Sequence, residues 1–253
     1  MFRDKGLCEA QCGACRVFAM PRTWATRFVN AVTAPSHAVL DAHLSRGLFP
    51  TASTREVIQY VCPRPAPISE QPAVPGHVLG FIGRLTPDKG LSQLLDWMAG
   101  PDSRRLQGLR LLIAGTGPLE ATTRAVAARD DRIEVLGYTA PADFYPRIAA
   151  LVVPSIWNDP SPVVIREAYG YGIPVAGSRF GGIPELIRLV DDRLVFDPHD
   201  PRDMTRAIAL ALDPTGRPAL QTACELATEQ FTAARVCEQV EAVYRACMNA
   251  ARR

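Results

Sequence analysis

A helix start with an anion-binding character lies in the segment PSIWNDPSPVVIREA at residues 154–168. Ser161 suits a helix N-cap, and Pro162 suits the first helical position. The free backbone amides of Val163 and Val164 would then point away from the helix and could bind an anion. The segment follows an apolar run, so we expect it to connect a strand to this helix.

Two carboxylates accompany this helix start. Glu167 lies one turn further along, among apolar residues. A carboxylate in such surroundings needs a partner, which the ribose hydroxyls of a nucleotide or an arginine would supply. Asp159 lies in the loop eight positions earlier and could reach a sugar bound at the same place.

A second group of charges lies in the loop GRLTPDKG at residues 83–90. Thr86 suits an N-cap and Pro87 the first helical position, which puts Lys89 in a first turn, where the helix dipole disfavours a cation. A bound anion would compensate for this, and Arg84 could hold the same anion in a bidentate manner. The alternative is that both cations are simply surface residues.

Two glycine-containing loops complete the candidate site. The run AGTGPL at residues 114–119 is either part of a phosphate-binding loop or a tight turn, since the third glycine of the phosphate fingerprint is absent. Gly181 and Gly182 open the run GGIPE, where backbone amides could approach an anionic ligand. Glu185 in the same run either contacts that ligand or favours the helix N-terminus electrostatically.

The elements that must position these loops alternate between short apolar runs and helical patterns. The predicted strands span residues 78–82, 109–114, 133–136, 150–154, 174–177 and 193–196. They are rich in Val, Ile and Leu on both faces, which is typical of buried parallel strands. The pattern predicts an α/β fold with a Rossmann-like, doubly wound parallel sheet, in which ligands bind beyond the carboxyl ends of the strands.

The rest of the chain is divided as follows. We expect residues 1–61 to form a small partial α/β piece, with a strand, a turn and a helix over 31–47 and a further strand, VIQYV, at 57–61. We expect a proline-rich linker over 62–76, a compact α/β domain over 77–230, and a long helix over 231–253. One stripe of this last helix carries Val236, Val240, Val243, Tyr244 and Cys247.

Composition narrows the classes of protein. The 253 residues are 47% hydrophobic and 21% charged, with a net charge of +2 and interleaved signs, which argues against a nucleic-acid-binding face. Neither a secretory signal nor an apolar run of about 18 residues is evident. The seven scattered cysteines favour reduced thiols in a cytoplasm, and a peripheral contact with the inner face of a membrane stays open.

Cys8, Cys12 and Cys15 have the spacing of some iron–sulfur sites. A zinc site would need a fourth ligand, for which Cys62 is a candidate. The alternative is a cysteine-bearing loop without a metal.

The four loops, in this order and spacing, resemble the donor domain of family-4 retaining glycosyltransferases, which have the GT-B fold. That family shows G-R-L-x-x-x-K-G, A-G-x-G-P-L, an E-x7-E segment ending in E-A-x-x-x-G-x-P-V, and G-G-x-x-E. Here they read GRLTPDKG, AGTGPLE, DPSPVVIREAYGYGIPV and GGIPE, and the likeness covers residues 78–200. The tail resembles the family's C-terminal crossover helix, and residues 31–47 resemble the last strand and helix of its N-terminal domain.

The resemblance implies a role for each matching residue. Arg84 and Lys89 would bind the diphosphate of a UDP- or GDP-sugar, Glu167 would bind the ribose, and Asp159 would face the transferred sugar. The remaining residues of the implied site are Gly83, Val163, Val164, Gly181, Gly182 and Glu185. The family's chemistry needs neither a metal nor a cofactor besides the donor, and the implied role is the synthesis of cell-surface polysaccharide or glycolipid.

Two departures from the family pattern leave alternatives open. Asp159 stands where the family has a glutamate, and only about 75 residues precede the donor domain. We therefore expect either a truncated gene product or one half of an enzyme whose acceptor domain is a separate polypeptide. A non-catalytic donor-binding subunit is the main alternative. A sugar-nucleotide epimerase is a further one, although the G-R-L…K-G and E-A…G-x-P-V motifs argue against it.

Overall fold

The computed structural model describes residues 12–62 and 77–251, together with the backbone of residues 2–3 and 6–7. The strands are β1 (Phe2–Arg3), β2 (Gly6–Leu7), β3 (Ala31–Ala34), β4 (Thr54–Val57), β5 (Val78–Ile82), β6 (Arg110–Ala114), β7 (Ile133–Gly137), β8 (Ala150–Val153), β9 (Val175–Ser178) and β10 (Val195–Phe196). The α-helices are α1 (Gly13–Ala25), α2 (His37–Leu44), α3 (Leu91–Ala99), α4 (Glu120–Ala127), α5 (Pro141–Phe144), α6 (Val163–Gly170), α7 (Ile183–Ile187), α8 (Pro201–Leu212), α9 (Arg217–Thr228) and α10 (Ala233–Ala251).

The central element is a six-stranded sheet in the order β10-β9-β8-β5-β6-β7, in which every neighbouring pair is parallel. After β5 the chain adds β6 and β7 on one side, and it then returns to place β8 on the other side of β5. This arrangement confirms the predicted doubly wound sheet. The order of the strands reverses between β5 and β8, and in such folds ligands bind at the carboxyl ends of the strands at that point.

The hydrophobic core belongs to the part of the chain that forms this sheet. The connected cluster of buried apolar side chains runs from Val78 to Phe231 and includes none of residues 12–61. All four residues of β8 and of β9 are buried, because helices cover both faces of the sheet. Helix α8 contributes Met204, Ala207 and other residues at helical spacing, and it begins at Asp200, whose side chain accepts hydrogen bonds from the amides of the first turn.

The N-terminal segment forms a separate, small sheet. Strands β3 and β4 pair in parallel, and α2 lies between them in the chain. Helix α10 packs against β4, and the amide of Cys62 donates to the carbonyl of Phe231 at 3.0 Å. The last helix therefore crosses back to the N-terminal segment, as the resemblance implies.

The predicted strand VIQYV at 57–61 is wrong. Strand β4 covers Thr54–Val57, and the chain leaves the sheet after the amide of Ile58 has bonded to the carbonyl of Ala34. Gln59 and Tyr60 instead contact Arg166 on α6. These long-range contacts override the local preference of the β-branched and aromatic residues for a strand.

Two other elements are shorter or less buried than the sequence predicts. Only Val195–Phe196 of the predicted strand at 193–196 is extended, because the side chain of Asp191 caps a 3₁₀ turn at Asp192–Leu194. On the predicted apolar stripe of α10, Tyr244 is 67% exposed.

Among the described residues, no helix combines the length and apolar character that a membrane span needs.

Candidate functional site

A cavity of about 400 Å³ opens at the carboxyl ends of β5 and β8, where the strand order reverses. The last residues of both strands, Gly83 and the first turn of α6 form its walls. The polar side chains of Lys89, Asp159 and Arg166 line it together with the ring of Tyr60. Two of the charged residues predicted from the sequence are thus brought together at the place where the fold favours a ligand.

Lys89 and Asp159 form an ion pair in this cavity. The Lys89 Nζ atom donates to Asp159 Oδ2 at 2.5 Å, and the two side chains are only 25% and 11% exposed. One residue follows β5 and the other follows β8, so the pair bridges the two strand ends. An anion that binds to Lys89 must compete with this carboxylate.

The backbone before α3 explains how Lys89 reaches the cavity. Pro87–Lys89 form a 3₁₀ turn, and α3 begins only at Leu91. Thr86 is the N-cap and Pro87 the first residue of this turn, as predicted, although the turn is 3₁₀ and not α-helical. Gly90 separates the two elements with φ +71°, and a Cβ atom there would lie 1.8 Å from the carbonyl oxygen of Pro154. This close approach presses the loop after β5 against the loop after β8.

Arg84 lies outside the cavity. Its side chain is 72% exposed and 3.7 Å from Asp88 Oδ2. The preceding residue, Gly83, lines the cavity, whereas the Arg84 guanidinium lies beside Asp88.

Helix α6 starts one residue later than the sequence predicts. Pro162 occupies the N-cap position without a side-chain cap, and Val163 is the first helical residue. Ser161 is not the N-cap because its hydroxyl donates to Gln59 Oε1 at 2.7 Å and accepts from Arg166 Nη1 at 2.5 Å. Val163 and Val164 line the cavity, and the binding of an anion by their amides stays a prediction.

Glu167 has a partner that was not among the two considered from the sequence. The hydroxyl of Tyr145 donates to Glu167 Oε2 at 2.9 Å and lies 3.1 Å from the carbonyl of Val164. Burial and the Glu167 carboxylate raise the pKa of Tyr145, so the phenol keeps the proton that it donates. The Tyr145 ring stacks on Tyr171 at 4.9 Å between centroids, which fixes its position. Glu167 does not line the cavity described above.

The glycine pair supports the loop that carries Asp159. Gly181 has φ +61°, and a Cβ atom there would lie 2.4 Å from the carbonyl oxygen of Asp159. The amide of Gly182 donates to that same oxygen at 2.8 Å. Both residues therefore hold the Asp159 loop in place by close backbone contact. The run at 114–119 is similarly constrained, since a Cβ on Gly115 would lie 1.8 Å from the carbonyl oxygen of Gly83.

Glu185 binds the N-terminal segment of the chain. Its carboxylate accepts hydrogen bonds from the backbone amides of His37 and Ala38, both at 2.8 Å. These are the first amides of α2, which would otherwise lack an intrahelical partner. The sequence gives no local signal for this contact, because the partners lie 148 and 147 positions away.

Arg166 also belongs to the site, although the sequence patterns did not single it out, and it is fully buried. Its guanidinium also lies over the rings of Tyr60, at 5.4 Å, and Phe231, at 5.7 Å. Burial lowers the pKa of this guanidinium. The sequence did contain a signal for this residue. Arg166 lies among the apolar residues of α6, and a charged side chain in such surroundings needs a partner or a function.

The cysteine pattern of the first residues stays a prediction. Cys8 lies outside the described residues, whereas Cys12 is the N-cap of α1 and Cys15 lies within that helix. Within residues 12–62 and 77–251, no group of three or more His, Cys, Asp or Glu side chains could hold a metal ion.

The fold and the site define the class of protein. A parallel sheet of this order, with a cavity at its switch point and a helix that crosses back, is the donor half of the GT-B fold. The family model described as glycosyl transferases group 1 matches residues 76–213. The chain belongs to this family.

Individual relatives agree with this assignment. The chain is 35% identical over 153 residues to a D-inositol 3-phosphate glycosyltransferase of Corynebacterium efficiens, a match that covers 55% of this chain and 36% of that protein. It is 30% identical over 162 residues to an uncharacterized 42.6 kDa protein in the cps region of Klebsiella pneumoniae, covering 64% of this chain and 42% of that protein. The chain therefore spans less than half the length of these relatives.

A solved structure shares the fold. The Anabaena protein Alr3699/HepE, in complex with UDP-glucose, superposes with a TM-score of 0.70 at 19% identity. The superposition covers 92% of this chain and 68% of the Anabaena chain.

Proposed function

We propose that the chain binds a UDP- or GDP-sugar at the switch-point cavity and transfers the sugar to an acceptor with retention of the anomeric configuration. The observation that carries this proposal is the meeting of Lys89 and Asp159 in a cavity that also contains the first turn of α6. The GT-B fold and the family to which the chain belongs support the same reaction. The donor would be the substrate, with no separate cofactor or metal.

Each residue of the site has a role that depends on where negative charge develops during the reaction. When the bond between the sugar and the diphosphate breaks, charge accumulates on the leaving phosphate. Lys89, the amides of Val163 and Val164, and Arg84 swinging in from the rim would stabilise it. Asp159 would face the sugar once Lys89 has turned to the phosphate, and Glu167, held by Tyr145, would bind the ribose.

The names of the relatives support a proposal for the wider setting. One relative is named for the cps region, and others transfer sugars to inositol phosphate, which supports a role in cell-surface polysaccharide or glycolipid synthesis. The acceptor site of a GT-B enzyme lies largely on the other half of the fold. We propose that a further polypeptide segment or a separate chain supplies it, with the complex in the cytoplasm or at the inner face of a membrane.

Isothermal titration calorimetry with a panel of nucleotides and nucleotide-sugars tests the donor site. We expect saturable binding of a UDP- or GDP-sugar, weakened about tenfold in Lys89→Met and in Arg84→Gln by the loss of a charge-assisted contact. Arg104→Gln is the matched control, because Arg104 is exposed at the opposite, amino-terminal edge of the sheet. If no nucleotide binds to the wild-type protein, the proposal is wrong.

A second measurement distinguishes the enzyme from a non-catalytic donor-binding subunit. The subunit is kept as a candidate because position 159 has an aspartate where the family has a glutamate. NMR of the bound sugar nucleotide, followed over time with candidate acceptors, would show transfer or hydrolysis and the configuration of the product. The enzyme predicts a product with the anomeric configuration of the donor, and faster turnover in Asp159→Glu. Binding without turnover in either protein would support the non-catalytic subunit, and an epimerised sugar nucleotide would indicate the epimerase.

A further inference from the structure

The buried guanidinium of Arg166 lies below the candidate donor site. Arg166 is the fourth residue of α6, is fully buried and lines the same cavity as Lys89. Its hydrogen-bond partners are all neutral: the hydroxyl and the carbonyl of Ser161, at 2.5 and 3.4 Å, and Gln59 Oε1 at 3.3 Å. Its Nε atom is buried and has no hydrogen-bond partner among the described residues.

Within the described part of the chain, the Arg166 guanidinium has no carboxylate in direct contact with it. Among the described residues, the ion pairs at 4.0 Å or less include none formed by Arg166. Glu167 and Asp159 act on its charge only from a distance, more weakly than the Cys62 thiol and the Tyr60 phenol, and their direct contacts are with the hydroxyl of Tyr145 and with Lys89. A buried cation without a counter-charge is costly. The charged side chains of the cavity are Lys89, Asp159 and Arg166, so together they carry one net positive charge.

We propose that Arg166 is a positioning residue whose fixed positive charge, held by Ser161 and Gln59, attracts and orients the diphosphate of the donor without touching it. This inference rests on the proposed function. The charge acts across the low-dielectric floor of the cavity, where water screens it little. An anion in the cavity would be the counter-charge that the protein itself does not provide.

The contacts of Arg166 also keep the charge in one place. Ser161 fixes it to the start of α6, and Gln59 with Tyr60 fixes it to the segment that leaves β4. The ring of Phe231, which precedes α10, packs against the guanidinium from a third direction. Since the guanidinium cannot swing out to meet a ligand, its effect on binding must depend on the charge of the ligand.

The test compares two ligands that differ in charge. Whichever of UDP or GDP the wild type binds is titrated by calorimetry, and its uncharged nucleoside by NMR shift changes. Arg166→Met should weaken diphosphate binding about tenfold, equivalent to about 1.4 kcal/mol, and leave nucleoside binding unchanged. Arg166→Lys keeps the charge and should stay within about threefold of the wild type.

Met is chosen because it removes the buried charge while an apolar side chain of similar length fills most of the same volume. The hydrogen bond between Ser161 and Gln59 survives the change. Arg132→Met is the control for the loss of a partly buried arginine elsewhere, because Arg132 bonds to Asp130 and to the carbonyl of Met98 at the amino-terminal edge of the sheet. It should leave both affinities unchanged.

Three outcomes overturn the inference while leaving the proposed function intact. Diphosphate binding could be unaffected by Arg166→Met, nucleoside binding could fall by the same factor, or Arg166→Lys could lose as much affinity as Arg166→Met. The last two would assign Arg166 a purely structural role. Failure of the wild type to bind any nucleoside diphosphate overturns both the inference and the proposed function.

Discussion

Replacing Asp159 with Asn should make the protein bind a nucleoside diphosphate more tightly. The Lys89 Nζ atom lies 2.5 Å from Asp159 Oδ2, so a diphosphate can gain Lys89 only by displacing that carboxylate. The substitution keeps the size of the side chain and removes its charge. Lys89 is then available to the ligand from the start, and the ligand no longer meets a negative charge beside its phosphates.

The magnitude follows from two contributions. Exposed ion pairs contribute about 0.2–1 kcal/mol, and this pair should reach the upper end because its side chains are 25% and 11% exposed. Repulsion between the carboxylate and a diphosphate several ångströms away adds about 1 kcal/mol at an effective dielectric constant between those of water and the protein surface. Together, about 2 kcal/mol corresponds to binding that is about thirtyfold tighter.

Calorimetry with UDP or GDP on the wild type, Asp159→Asn, Lys89→Met and the double variant is the assay. The double variant should bind about fivefold more tightly than Lys89→Met, because it keeps the relief of repulsion of about 1 kcal/mol, but more weakly than Asp159→Asn, because it lacks Lys89. Transfer should slow in Asp159→Asn even as binding tightens, since the residue facing the sugar has lost its charge. An affinity for Asp159→Asn that equals or falls below that of the wild type would refute the reasoning.

Three further predictions concern the stability of the fold. Gly90→Ala should lower the free energy of unfolding by about 3 kcal/mol or more, because the added Cβ would meet the carbonyl of Pro154. The control is Gly47→Ala, at φ +72° with no atom within 4 Å of the added Cβ, which should lower it by only about 1 kcal/mol. Equal urea midpoints for the two variants would contradict this. Glu185→Ala should cost about 2 kcal/mol, because the two α2 amides lose a charged acceptor, and hydrogen exchange at those amides should quicken selectively. The Arg132 guanidinium lowers the pKa of Asp130, so this carboxylate stabilises the fold at neutral pH and loses that effect as the pH falls through its lowered value, below about 3.9. The difference in stability between the wild type and Asp130→Asn should therefore shrink on acidification, and a constant difference would argue against the ion pair.

The sheet and the positions of the site loops could be predicted because their signals are local. The run VLGFI at 78–82 becomes β5 without change, and the loops after β5 and β8 do meet at the switch point. Proline and glycine at the ends of elements mark these loops in the sequence. A parallel sheet then brings the ends of its strands to one edge, whatever the side chains are.

The partners of the charged side chains could not be predicted, because they depend on contacts between distant parts of the chain. Ser161 bonds to Gln59, which is 102 positions away, and so does not cap its own helix. Glu167 finds Tyr145 on another element, and Glu185 reaches across to α2. Sequence patterns within one element identify which groups need a partner, but not which partner the tertiary fold supplies.

The boundaries of the hydrophobic core bear on how such a protein can change in evolution. The core begins at Val78 and ends at Phe231, and none of its members comes from residues 12–61. A recombination breakpoint anywhere between residues 62 and 77 therefore leaves every member of the core on one side of the cut. The coding segment from 77 to 231 can be exchanged between genes as a cassette, provided that the contacts of Glu185, Cys62, Gln59 and Tyr60 across the junction are re-established. Donor recognition would then be inherited only where the replacement polypeptide also supplies the contacts that Gln59 and Tyr60 make with Ser161 and Arg166.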